Sequence, residues 1–289
     1  MTATYDAIQA YINRRIDMST ANGIDPVVAK EIWSEQDHTN LKYTRNPDCW
    51  LTGVDLSGCA VYTSSGDPNK KTCTMITPSC GAVAAHYPLS NGTKVRFVTP
   101  SGEVITRTVV KGMKHPDYKP PGETYADLFI VKLDEPVTGC KPLFMLPDDW
   151  QEYLQNNGKE LMVVQMCQHE HAGLAMIDHI ENSFKFLHCM PVPGMFPNSF
   201  TLQKFAENLI GGDSSDPCIM LYQGQPILMT VWRYGGYGAG VSIAGQSAWI
   251  DETCQTLAGE VPNRINFKPK CSIRIVADTT KKVFAGVFK

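Results

Sequence analysis

Apolar side chains recur at helical spacing in the first part of the chain. The run YDAIQAYINRRI, which begins at Tyr5, places them on one face of a helix. Further on, Asp25 and Pro26 precede VVAKEIW as an N-cap and a first-turn proline would. The dipeptide Asn46-Pro47 ends the pattern, because proline disfavours helical backbone in the residue before it. We therefore predict a helical N-terminal extension over residues 1–46.

From about residue 50 the pattern changes to short β-branched runs separated by turn signals. One series runs from CAVYT to DLFIVKL, and a second runs from ELMVVQM to AGVSIAG. A capped segment at 147–158 joins the two series, and the amphipathic segment 245–259 ends at glycine, so both are predicted helices. Two series of short strands predict an all-β fold of two barrels or sandwiches, spanning residues 47–146 and 147–258.

Composition and charge exclude several classes of protein. The chain has 289 residues and a formal net charge of -3. It contains no apolar run near the ~18 residues of a membrane span, and its start lacks the apolar core of a secretory signal. The balanced charge argues against nucleic-acid binding through a basic surface. We expect no membrane or specific nucleic-acid partner, and a cytoplasmic or virion-associated location.

The cysteines and the C-terminal tail add two expectations. Ten cysteines without a Cys-x-x-Cys pair, in a chain without a secretory signal, are expected to be mostly free, buried thiols. Residues 259–289 carry seven Lys and Arg against two Asp and Glu. A basic tail with strand-like runs suits docking onto a partner's sheet. The N-terminal extension and this tail are therefore the candidate contacts with an assembly partner.

Three segments carry residues suited to nucleophilic catalysis. His86 ends the apolar run GAVAAH, Asp127 opens the strand-like DLFIVKL, and Ser214 lies in the turn IGGDSSDP. A serine nucleophile needs a base to take its proton, a third group to orient that base, and donors for the developing oxyanion. Histidine suits the base because its ordinary pKa lies near neutrality. Gly212 lets the backbone turn so that two N–H groups converge.

These segments resemble the trypsin-like (chymotrypsin-fold) serine peptidases. The resemblance rests on the order His, Asp, Ser, on Ala-Ala-His, on the Asp-Leu-Phe-Ile-Val-Lys-Leu strand and on Gly-Asp-Ser. Val231-Trp232, Gly240-Val241 and Ala248-Trp249-Ile250 match in register, so the resemblance covers residues 50–258. It implies two six-stranded antiparallel β-barrels with a C-terminal helix, and hydrolysis of a protein or peptide substrate without a cofactor.

The resemblance also implies a role for each site residue. Ser214 would be the nucleophile, His86 the general base and then acid, and Asp127 the group that orients His86. Gly212 and Ser214 would supply the oxyanion N–H groups, and Asp213 would support the turn through a buried partner. The residues expected to contact substrate are Asn208, Val231, Trp232, Arg233 and Gly240. Arg233 would narrow the specificity pocket or favour an acidic substrate residue.

The chain departs from the family at several positions. Ser215 and Asp216 follow the nucleophile where the family usually has two glycines, and a carboxylate there would repel an anionic intermediate or point to solvent. Val231 stands where the family has a serine that supports the catalytic aspartate. The family's bracing disulfides and its Ile-Val-Gly-Gly activation terminus are missing. These losses suit an intracellular or viral relative, and they leave open a catalytically silent module with a structural or virion-associated role.

A metal site is the remaining alternative. Cys167, His169 and His171 alternate along CQHEH, so they would share one strand face and could ligate zinc. A fourth ligand is not evident, although His179 or His188 would serve. Because the run lies within the second strand series, surface histidines beside a packed cysteine explain it better, and we predict no metal.

Overall fold

The structure is a computed structural model that describes residues 3–62, 70–119, 126–154, 161–180, 187–190, 200–234 and 239–267. Strands in antiparallel sheets dominate it, which confirms the predicted mainly-β fold. The elements form a short hairpin, a five-stranded sheet and a closed six-stranded barrel. None of the helices in these ranges is long and apolar enough to cross a bilayer.

The N-terminal extension is helical only in part. Helices α1 (Ala3–Ala21) and α2 (Pro26–Lys30) are followed by a hairpin of β1 (Trp33–Asp37) and β2 (Lys42–Arg45). The prediction of a helical segment up to residue 46 is therefore wrong for its last third. The cause is local, because the carboxylate of Asp37 accepts the N–H groups of Thr39 and Asn40 and reverses the chain.

Helix α1 packs against the rest of the chain. Its apolar stripe of Tyr5, Ile8, Ile12 and Ile16 is buried, and the helix contacts two strands of the six-stranded barrel. Because the stripe is used within the chain, this face of the extension is not open to an assembly partner.

The first half of the chain forms an open sheet. Its strands are β3 (Thr74–Thr77), β4 (Cys80–Val83), β5 (Lys94–Val98), β6 (Val104–Lys114) and β7 (Phe129–Leu133). They pair in the order β3-β4-β7-β6-β5. Single bridges from Cys59 to Thr74 and from Val61 to Arg96 link the segment 59–61 to both edge strands. The described residues therefore form a five-stranded sheet with a bridging segment, where six full strands were expected.

The second half of the chain forms a closed barrel. Its strands are β8 (Leu161–Met166), β9 (Ala172–Ile180), β10 (Leu187–Met190), β11 (Pro217–Tyr222), β12 (Gln225–Tyr234) and β13 (Ala239–Gly240). They pair in the order β10-β13-β12-β11-β8-β9. Short helices α3 (Gln151–Leu154) and α4 (Phe200–Phe205) precede strands β8 and β11. Fully buried side chains such as Val163, Met220 and Trp232 belong to one apolar cluster on these strands.

The C-terminal helix α5 (Ser247–Ala258) lies where the amphipathic pattern predicts it. It ends at Gly259, whose φ of 72° is left-handed, and it packs on β4, β6 and β7 of the first sheet. The start of the tail is ordered against the barrel, because Met145 exchanges backbone hydrogen bonds with Asn263 and Ile265. The strand-like runs at 271–278 and 281–288 lie outside the described residues.

The described cysteines agree with the thiol prediction. Eight are free and buried: Cys49, Cys59, Cys73, Cys80, Cys140, Cys167, Cys218 and Cys254. The side chains of Cys189 and Cys271 lie outside the described residues.

Candidate active site

Strand pairing brings His86 and Asp127 together. His86 follows the end of β4, and Asp127 lies just before the start of β7. These strands are antiparallel, and Val83 pairs with Phe129, so the end of one strand adjoins the start of the other. The backbone N–H of His86 donates to Asp127 Oδ1 at 2.8 Å, which fixes the turn that carries the imidazole.

The three candidate catalytic side chains form one hydrogen-bonded row. His86 Nδ1 lies 2.5 Å from Asp127 Oδ2, and His86 Nε2 lies 2.8 Å from Ser214 Oγ. The carboxylate can only accept, so Nδ1 carries the proton and Nε2 is left to accept from the serine. The Asp127 side chain is 2% exposed and that of His86 is 29% exposed. The row therefore runs from a buried carboxylate to a hydroxyl near the surface.

Asp213 holds the turn that presents Ser214. Its Oδ1 accepts the N–H of Gln168 at 2.9 Å, and its Oδ2 accepts the N–H of Ile210 at 2.6 Å. Burial raises the pKa of Asp213, and the two backbone donors act against that shift. The predicted buried partner of Asp213 is thus a pair of backbone N–H groups within the same chain.

The backbone N–H groups of Gly212 and Ser214 are the candidate donors to the oxyanion. Within the described residues, the N–H groups of Gly212 and Ser214 have no hydrogen-bond acceptor. Gly212 has a φ of 108°, and a Cβ there would meet the amide oxygen of Gln168 at 2.9 Å. Gln168 also donates to the carbonyl of Gly211 at 2.9 Å. The backbone conformation therefore favours glycine at position 212, and a side chain there would also displace the amide of Gln168.

Ser215 and Asp216 point into the protein. Ser215 Oγ accepts the N–H of Ala84 at 2.9 Å, which ties the nucleophile turn to the segment that carries His86. Asp216 Oδ2 accepts the hydroxyl of Tyr62 at 3.1 Å. Burial, reinforced by the charge of Asp213, raises the pKa of Asp216 well above its ordinary value. The expectation that Asp216 points to solvent is therefore wrong, because its side chain is buried. The expectation that it repels an anionic intermediate stays a prediction.

Arg233 faces Asp127 rather than solvent. Its side chain is 9% exposed, and its Nε lies 3.4 Å from Asp127 Oδ2. The resemblance predicts Val231 at the position of the serine that supports the aspartate, but the residue of this strand that reaches Asp127 is Arg233. Because the guanidinium is directed at Asp127, the contact does not support binding of an acidic substrate residue. The expectation that Arg233 narrows the specificity pocket stays a prediction.

The other expected substrate contacts divide into two groups. Val231 and Trp232 are buried, and Trp232 lies in the barrel core, so neither side chain faces a substrate here. Gly240 pairs with Trp232 across β12 and β13, and a Cβ on it would collide with Thr230 and with the Val231 carbonyl. Asn208 is exposed beside a cavity of about 280 Å³. No described contact joins Asn208 to His86, Asp127 or Ser214.

Comparison with known protein families found no matching family model, and comparison with curated proteins found no significant match.

Tyr62, Gln168 and Ala84 belong to the site but were not found by sequence reasoning. Tyr62 lies 154 residues before its partner Asp216, and Ala84 contributes only a backbone N–H. Gln168 lies within CQHEH, where the cysteine and the two histidines are the residues that suggest chemistry. Nothing in the local sequence around these residues marks them, because each acts through a contact between distant segments.

Proposed function

We propose that the protein is a serine endopeptidase that hydrolyses peptide bonds through an acyl-enzyme. The observation that carries the proposal is the row of hydrogen bonds from Asp127 through His86 to Ser214. The resemblance to trypsin-like peptidases supports it through the further matches at Val231-Trp232, Gly240-Val241 and Ala248-Trp249-Ile250. We also propose the finer fold in which segment 59–61 completes a second barrel beside the closed one.

The first half of the reaction forms the acyl-enzyme. Ser214 Oγ attacks the carbonyl carbon while its proton passes to Nε2 of His86. The carbonyl electrons move onto oxygen, where the N–H groups of Gly212 and Ser214 stabilise the charge. The carbon–nitrogen bond then breaks, and Nε2 returns the proton to the leaving amine. Asp127 keeps the imidazole oriented and stabilises its charged form throughout.

The second half repeats the sequence with water. Water attacks the acyl carbon and gives a proton to Nε2, the ester bond to Ser214 breaks, and Ser214 Oγ recovers that proton. All proton transfers use Ser214 and His86 while Asp127 orients the imidazole, so the proposal requires no cofactor.

The turn geometry supports activity without processing of an N-terminus. In the trypsin-like scheme a newly formed terminus pairs with the aspartate before the nucleophile. Here the N–H groups of Gln168 and Ile210 already occupy both oxygens of Asp213. The proposed enzyme is therefore assembled for catalysis as folded.

Peptide cleavage tests the proposal. The purified full chain is incubated with a diverse peptide library, and new termini are identified by mass spectrometry. We expect cleavage by the wild type and by Ser34→Ala, a change of an exposed serine in the β1–β2 hairpin. We expect no cleavage by Ser214→Ala or His86→Gln. Cleavage that survives Ser214→Ala would come from another source. A folded wild type that cleaves neither peptides nor activated esters would favour the catalytically silent assembly module.

A further inference from the structure

The run CQHEH at the end of β8 brings metal-ligating side chains to one place. Cys167 directly follows β8, and His171 pairs with Glu31 through a single bridge after the intervening turn. Between them, Glu170 has a φ of 57°, which reverses the chain. The proposed peptidase uses only Gln168 from this run, so Cys167 and His171 have no part in that mechanism.

A third ligand comes from a distant segment. Glu207, which follows α4, places Oε1 2.9 Å from His171 Nδ1 and 3.7 Å from Cys167 Sγ. The ligand atoms of the three residues all lie within 4.8 Å of one another. The alternation in the sequence suggested His169 as a partner, but His169 is exposed. The convergence on Glu207 could not be read from the local pattern.

Lys30 of α2 orients the carboxylate. Its Nζ lies 3.4 Å from Glu207 Oε2, an oxygen that has no hydrogen bond in the described residues. The ammonium therefore holds one oxygen and leaves Oε1 directed at Cys167 and His171. Burial opposes ionisation of Glu207, but the hydrogen bond from His171 and the charges of His171 and Lys30 outweigh it and lower the pKa of the carboxyl.

The donor set selects among metals. One sulfur, one imidazole nitrogen and one carboxylate oxygen suit zinc, whereas calcium and magnesium prefer oxygen ligands alone. Zinc bonds of about 2.0–2.3 Å would need only small shifts of these side chains. We propose that Cys167, His171 and Glu207 bind one Zn²⁺ ion, with water in the fourth position. Binding deprotonates the Cys167 thiol and displaces the proton that His171 Nδ1 donates to Glu207, so that the neutral imidazole carries its proton on Nε2. The displaced protons pass to solvent.

The ion would join three segments of the chain near the nucleophile turn. The ligands come from the β8–β9 turn and from the segment after α4, and α2 contributes Lys30. Gln168, next to Cys167, donates its N–H to Asp213 and lies against Gly212. Zinc would therefore stiffen the support of this turn, although the site itself does not depend on the proposed peptidase function.

Metal binding to the full chain tests the site. Zinc affinity is measured by competition with a chromophoric chelator, and Co²⁺ is added to the metal-free protein for absorption spectra. We expect one equivalent of zinc and a sulfur-to-cobalt charge-transfer band. Cys167→Ser should abolish the band, and Cys167→Ser and Glu207→Gln should each weaken zinc binding at least about tenfold. His169→Gln is the matched control, because it removes an exposed neighbouring imidazole, and it should bind as the wild type does.

The thermal unfolding midpoint is measured with and without zinc. Its change on adding zinc distinguishes a variant that has lost a metal ligand from a variant that does not fold. Excess zinc should raise the wild-type midpoint by roughly 5 °C, and it should leave that of folded Glu207→Gln almost unchanged. Three results would overturn the site: no zinc bound at one equivalent, binding that Cys167→Ser and Glu207→Gln leave intact, or binding that only His169→Gln removes. In each case the cluster would be an ion-paired contact of Lys30, His171 and Glu207 alone.

Discussion

Arg233 Nε lies 3.4 Å from Asp127 Oδ2, the oxygen that also contacts His86 Nδ1. The guanidinium reaches from β12 of the barrel to the aspartate of the first sheet. Because both groups are almost completely buried, their mutual attraction is screened far less than that of a surface pair. Arg233 is therefore placed to hold the carboxylate that orients the proposed general base.

Replacing Arg233 should slow the chemistry at Ser214 for every substrate alike. We expect Arg233→Gln to lower the rate of fluorophosphonate labelling about 10- to 100-fold, which corresponds to about 1.4–2.7 kcal/mol in the barrier. Arg233→Lys, which keeps the charge, should lie between this variant and the wild type. Arg107→Gln is the control, because Arg107 is bonded only to backbone carbonyls in the described residues. A loss confined to acidic substrates would instead support a specificity role.

Gly212 should tolerate no side chain, whereas its neighbour Gly211 should. Gly212→Ala forces an alanine into a φ of 108° and against Gln168, but a Cβ on Gly211 would meet no atom within 4 Å. We expect Gly212→Ala to reduce labelling of Ser214 at least about tenfold through displacement of an oxyanion donor. Gly211→Ala should label at a rate close to that of the wild type. Equal rates for the two variants would exclude the assigned turn geometry.

Ser215 should contribute to stability through its bond to Ala84. Ser215→Ala leaves the buried N–H of Ala84 without an acceptor, so we expect the free energy of unfolding to fall by about 1–3 kcal/mol. Ser215→Gly loses the same bond but relieves the φ of 80° at this position, and should be less destabilised by about 1 kcal/mol. Urea unfolding of both variants measures the difference. The hydrogen bond has no role if Ser215→Ala is as stable as the wild type.

Asp216 should make the protein less stable as the pH rises. Its pKa is raised in the folded state, so the folded chain keeps a proton that the unfolded chain releases above about pH 4. Stability therefore falls with rising pH until the folded-state pKa is reached. Asp216→Asn keeps an acceptor for Tyr62 and removes the charge, so its free energy of unfolding should fall less than that of the wild type as the pH rises above about 4.

The control for Asp216 is Asp148→Asn, which changes an exposed carboxylate and should follow the wild-type pH profile. Glu170, whose pKa burial raises to about 7, contributes with the same sign and remains in both variants. An Asp216→Asn profile parallel to that of the wild type would mean that Asp216 is not the group responsible.

The sequence could predict those parts of the site that depend on residue type and order. His86, Asp127 and Ser214 stand in recognisable local contexts, and the structure brings their side chains into hydrogen-bond contact. The positions of Arg233 and Asp216 could not be predicted, because each depends on a partner far away in the chain. From sequence alone, a carboxylate that follows the nucleophile is expected to face solvent, because no local pattern shows that Tyr62 lies opposite Asp216.

The fold shows the same division. The helix α5 and the alternation of strands follow from local patterns, so their prediction required no long-range information. The β1–β2 hairpin was missed because its strands are short and largely exposed, and each has a single buried side chain, Trp33 or Tyr43, which is too few to give an alternating pattern. Segment 59–61 is positioned by two single bridges, one to each edge strand of the first sheet. Local sequence patterns could not predict these bridges, because they depend on how the edges of the sheet approach each other.

Covalent labelling of Ser214 tests the central claim most directly. The folded full chain is treated with a fluorophosphonate, and the modified residue is identified by mass spectrometry. We predict one adduct, on Ser214, that is lost in Ser214→Ala and forms much more slowly in His86→Gln, while Ser34→Ala labels as the wild type does. A folded wild type that forms no adduct, or an adduct that His86→Gln does not slow, would contradict the proposed nucleophile and base.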